Sequence, residues 1–119
     1  MLDVTPLQTA VDALADRLRS LPQSRLHRGA AAEGLALARR LATRAQLIER
    51  PGEPPRELPD AGVFAVGDQL AVAGHDLVEA LRAAALRMAD GTGDSDAKAA
   101  PADELAEAVR EVRAAAERC

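Results

Sequence analysis

Aromatic side chains are nearly missing from this chain. Phe64 is the single aromatic among 119 residues, and Tyr, Trp and Asn do not occur. β-branched residues are also few, which disfavours sheet, where aromatic and β-branched side chains pack best. Cysteine occurs once, as Cys119, so no internal disulfide can form, and the thiol reads as reduced and frayed at the end of the chain. Lysine also occurs once, as Lys98, with arginine supplying the other basic residues. That bias reads as the mark of a GC-rich bacterial genome, not as a binding surface.

No apolar run approaches the roughly 20 residues that a membrane helix needs. The opening Met-Leu-Asp-Val lacks the basic-then-apolar order of a secretory signal, so a cytoplasmic protein without a membrane partner is expected. The formal net charge is −4 and the pI is near 5.1, which argues against nucleic acid as a partner. The pieces of a catalytic apparatus are scarce as well. The three serines fall in loops or at helix ends, and no spacing sets two carboxylates facing each other. The expectation is a non-enzyme with no cofactor and no metal.

What remains is alanine and leucine. Ala supplies 28 residues, and Leu, Val, Ile, Met and Phe together supply another 28. Such a composition favours helix, with a thin core built from close helix approaches. Four periodic segments follow, over about 5–21, 24–50, 60–89 and 101–118, in one domain. The first opens on Thr5-Pro6-Leu7-Gln8, a capping-box pattern, and carries Leu7, Val11, Leu14, Leu18 and Leu21 on one stripe. The second starts at a Ser24 cap and buries Leu26, Ala30, Leu37, Leu41 and Ile48 beside a row of small residues that includes Gly34, Ala38 and Ala45. The third, capped by Asp60, aligns Val63, Val66, Leu70, Leu77, Leu81, Ala84 and Met88, and Gly67 and Gly74 widen that stripe. The fourth starts at Pro101 and carries Leu105, Val109, Val112, Ala116 and Cys119.

Short connections make successive helices antiparallel, so the expected fold is all-α: an antiparallel four-helix bundle, up-down-up-down. Helices 2 and 3 form a long central hairpin in this reading. With a fold near residue 56, Ala38 faces Gly74 and Ala45 faces Gly67.

Two histidines are available for chemistry. The text Leu26-His27-Arg28-Gly29-Ala30-Ala31-Ala32-Glu33-Gly34-Leu35 bears a short likeness to histidine-phosphotransfer domains, whose exposed His accepts a phosphoryl group. That family places a Lys-Gly pair three and four residues after the His, where this chain has Ala30 and Ala31, so membership does not follow. His75 precedes Glu79 by one turn, a spacing at which both reach one metal ion or simply share a hydrogen bond on a wet face. Asp90, Asp94 and Asp96 lie in a flexible acidic linker without the ligand order of a calcium loop. Glu33, Arg40 and Arg44 border the second helix's apolar stripe and read as interhelical ion pairs.

The remaining anomaly is apolar. Val72 and Leu86 fall on the polar arc of the third helix, and Leu35 and Leu47 stand off the stripe of the second. Such residues mark a candidate partner surface. The leading expectation is therefore a non-catalytic helical interaction or regulatory module, self-associating as a homodimer or binding another protein. The alternative is histidine-dependent phosphotransfer through His27 or His75, or a bundle sensing a small ligand or metal.

Overall fold

The structure, a computed structural model, describes residues 2–91 and 100–119. The Asp94, Asp96 and Lys98 portion of the acidic linker lies outside the described residues. Four helices carry the fold: α1 (Thr5–Ser20), α2 (Ala31–Glu49), α3 (Val66–Ala89) and α4 (Pro101–Arg118). No strand occurs among the described residues, and the all-α four-helix bundle expected from the stripes is present. None of the described helices is long and apolar enough to cross a membrane.

The start signals act differently from the sequence expectation. At α1 the N-cap is Val4, and the Thr5 amide donates to Asp3 Oδ1 at 3.0 Å, so Asp3 does what the Thr5 hydroxyl was expected to do. Asp60 accepts from the Gly62 amide at 2.9 Å, and a 3₁₀ turn over Val63–Ala65 leads into α3. The expected helix over 24–50 is interrupted. A single turn, Gln23–Arg25, and a wide π-type turn, Leu26–Ala30, precede α2, and Gly29 lies within the wide turn at φ +143°. A side chain is strained in that conformation, so glycine sets where the helix bends.

The largest difference concerns direction. Residues 50–62 do not form a hairpin turn; they run back along α2. Gln46 and Arg56 exchange two hydrogen bonds, at 2.7 and 3.0 Å, and Arg39 Nε donates to the Leu58 carbonyl at 2.8 Å. Gln69 of α3 then donates to the Pro59 carbonyl at 2.8 Å. Four prolines between 51 and 60 hold this segment extended. At roughly 3.3 Å per residue the ten residues from 51 to 60 reach about 33 Å, more than the approximate 28 Å length of α2. α3 therefore begins beside the start of α2, where Val66 packs against Gly34, and the two longest helices run parallel. This corrects the up-down-up-down order: the central pair is not a hairpin.

α1 meets α3 antiparallel, with Arg19 beside Gly67 and Val11 beside Gly74. α4 runs opposite to α2, since Arg44 pairs with Glu104 and Glu33 with Arg118. The order is up-down-down-up. α3 packs mainly on α2 and α1, and α4 closes the other side against the same two helices.

The core is the set of stripes read from the sequence. Leu7, Leu37, Leu41, Leu70, Leu77 and Leu81 are fully buried, as are Val11, Val66, Val78 and Val112. Each contributes roughly 1.5–3 kcal/mol. Met88, assigned to the buried stripe of the third segment, is instead 48% exposed because α3 runs past the end of the core. The glycines of α3 keep their packing role with a different neighbour: Gly67 and Gly74 face α1, not Ala45 and Ala38 of α2.

At Gly74 a Cβ would lie 2.4 Å from Val11 Cγ1 and 2.8 Å from Cγ2. Val11 is fully buried and stiff at χ1, so it has nowhere to go. Gly74→Ala gains about 1 kcal/mol of helix propensity and loses about 1–3 kcal/mol to overpacking. We expect a net loss of up to about 2 kcal/mol in chemical denaturation, relieved when Val11→Ala is added. A Gly74→Ala variant at least as stable as the parent would mean that α1 and α3 are not in contact there.

Candidate functional site

Four of the seven residues singled out from the sequence meet on one surface, the outer face of α3. Val72 is 60% exposed and Leu86 is 65% exposed, with His75 and Glu79 between them. The face exists because α3 is apolar over about half its circumference, which α1 and α2 cover, while the opposite half points away from the bundle. Asp68, Asp76 and Arg82 complete it.

The polar residues of this face are engaged in pairs. His75 Nε2 lies 3.0 Å from Asp12 Oδ1 of α1, a contact across helices that replaces the expected His75–Glu79 bond. Glu79 turns the other way and accepts from Arg82 at 3.0 Å. Thus His75 and Glu79 do not converge on a common point for a metal. Asp68 accepts from Arg19 of α1 at 2.8 Å, and this bond chiefly raises the Arg19 pKa. Asp76 has no ion-pair partner among the described residues.

The other candidates lie elsewhere. Leu47 is 43% exposed near the end of α2. Leu35 is half-buried and packs against the core, so it is not part of an exposed surface. His27 is exposed in the turn before α2, with Nε2 3.3 Å from Gln23 Nε2. Among the described residues Phe64 is the most exposed large apolar side chain at 70%, on the turn before α3. It lies off the helical stripes because the turn sets its direction before helical periodicity begins.

Between α2 and α4 the charges serve the fold. Arg44 bonds Glu104 at 2.7 Å and also bonds Glu111, which is shared with Arg40 at 2.9 Å. Burial by itself would lower the Arg44 pKa, but its bonds to Glu111 and Glu104 outweigh that and raise it. Glu33 accepts from Arg118 at 2.9 Å. The expected interhelical pairing of Glu33, Arg40 and Arg44 is present, and its partner is α4. Among the described residues no group of three or more His, Cys, Asp or Glu is placed to hold a metal ion. No family model, curated protein or solved structure matches the chain.

Cys119 is not a frayed thiol. It is buried at 6% exposure near the start of α2, with Sγ 3.9 Å from the Ala30 carbonyl. Its main-chain oxygen accepts from Arg17 and Arg25, each at 3.2 Å. Burial raises the thiol pKa, assisted by the negative charge of Glu33 and opposed by Arg17 and Arg118. A raised folded pKa gives stability that is complete below the unfolded value, near 8.5, and lost as pH rises through the folded one. Stability should therefore fall above about pH 9 in the parent, and this component of the fall should vanish in Cys119→Ala. Native Cys119 should also react with a disulfide reagent at least about tenfold more slowly than the unfolded chain. Equal rates would place the thiol in solvent.

Proposed function

We propose that this chain is a non-catalytic helical interaction module that works by self-association through the outer face of α3. The observation carrying this reading is the outward exposure of Val72 and Leu86 on the same face of the longest helix. Single exposed apolar residues are ordinary. Two large ones on one side of a helix, spaced by about 21 Å and ringed by charge, form the pattern of a small contact surface. The commonest partner for such a surface is a second copy related by a two-fold axis. The reading is supported further by the fate of the chemical candidates: Glu79 and Arg82 satisfy one another, and the charges facing α4 hold helices together.

Light scattering across a concentration series tests this directly. The parent chain should show mass rising toward that of a dimer, and Val72→Glu or Leu86→Glu should return it to a monomer while leaving helicity unchanged. A parent that stays monomeric up to about 1 mM, the weak end of specific binding, defeats the proposal.

One observation favours the second reading, histidine phosphotransfer. The Asp12 carboxylate orients the exposed His75 ring by its contact with Nε2 and leaves Nδ1 without a partner among the described residues. Incubation with acetyl phosphate separates the two readings. The interaction module gives no acid-labile phosphohistidine; an adduct lost in His75→Gln and retained in His27→Gln would establish the second reading.

A further inference from the structure

An open crevice of about 530 Å³ runs along α2 between the returning segment and α4. Arg39, Arg40, Thr43 and Arg44 of α2 form its floor, with Arg56 and Glu57 on one side and Glu111 of α4 on the other. Arg40 and Arg44 are one helical turn apart and follow the α4 side. Arg39 is bonded to the segment through the Leu58 carbonyl, and Thr43 lies one turn further along. Arg56 is distant in sequence but fixed in place, because its amide and carbonyl bond Gln46 at 2.7 and 3.0 Å. The crevice is therefore built from a helix and a stiff, anchored strand of prolines.

Four arginines and two glutamates line it, a net charge of +2 in a chain whose net charge is −4. Glu104 stands behind Arg44 at 2.7 Å and reduces this excess without removing it. Joining α2 to α4 occupies Arg44 fully, since its three nitrogens bond Glu104 and Glu111. Arg40 contributes only Nε, to Glu111 at 2.9 Å, and its two terminal nitrogens have no partner among the described residues. The Arg56 guanidinium and the Thr43 hydroxyl have none either. Arginine donates five hydrogen bonds and accepts none. What the crevice lacks is an acceptor bearing negative charge.

A single carboxylate leaves part of the excess uncompensated. A phosphate monoester carries about two negative charges at neutral pH on three acceptor oxygens, which matches both the charge and the forked donors. Pro55 and the aliphatic stems of the arginines supply apolar surface for the remainder of such a molecule. We propose that this crevice binds the phosphoryl group of a small organic phosphate, with Arg40 and Arg56 as its principal donors. The site uses α2, α4 and the returning segment, so it is independent of self-association through α3.

NMR titration with inorganic phosphate tests the site, with sodium chloride and sodium acetate at matched ionic strength as controls. The amide signals of Arg40, Thr43 and Arg56 should move and saturate by about 10 mM phosphate, as a Kd near 1 mM requires. Neither control should reproduce this. Arg56→Gln removes no bond of the fold, and Arg40→Gln leaves Glu111 held by Arg44. Circular dichroism should show both variants folded, and each should weaken phosphate binding by about tenfold, the worth of one charge-assisted bond. Arg28→Gln, an exposed arginine before α2, should stay within about twofold of the parent. Equal shifts with chloride or acetate, or parental affinity in both Arg40→Gln and Arg56→Gln, would overturn the proposal.

Discussion

The close approach of α3 to α1 is the contact on which the remaining geometry depends. Two glycines, Gly67 and Gly74, let the α3 backbone come down on Ala15, Arg19 and Val11 without intervening side chains. A chain this rich in alanine and poor in aromatics has few large side chains to fill a wide gap between helices. Its core closes by bringing backbones together, which recovers dispersion contacts that volume would otherwise supply. The cost of glycine within a helix, near 1 kcal/mol, is offset there by packing. Once α3 is seated on α1 and α2, its opposite half has no remaining neighbour, and the outer face follows from that.

The stripes were legible because helical periodicity depends only on spacing. Leu7, Val11, Leu14 and Leu18, or Leu70, Leu77 and Leu81, fall on one side whatever the helix packs against, and all are buried. Direction was not legible in the same way. The connection over residues 50–62 is read as a turn if short loops are assumed to reverse the chain. Yet its prolines make it a stiff extended rod long enough to retrace α2. The same proline content that marks the segment as a breaker also gives it reach. The same holds for the glycines: spacing marks Gly67 and Gly74 as positions of close approach, but the helix that comes close is α1, not α2.

The candidate site was legible to a similar depth. Val72 and Leu86 could be placed on the polar arc of α3 from angle alone, and both are exposed. Leu35 could not, since its side chain reaches back to the core from the margin of the stripe. The partner of His75 was invisible for another reason. Asp12 is 63 residues away and reaches His75 only because α1 and α3 are antiparallel. The i, i+4 rule offers Glu79, but it ranks only neighbours within one helix. Glu79 prefers Arg82, where opposite full charges meet, over an imidazole.

The two faces of α3 place unlike demands on one helix. The inner face follows the ordinary helical repeat and is broad, because it must serve α1 and α2 at once. The outer face carries Val72 and Leu86 with Glu79 midway between them. A partner helix laid along it meets two apolar contacts separated by a charge that Arg82 already holds. That separation limits the strength of the proposed self-association, because each exposed apolar side chain must be covered on its own.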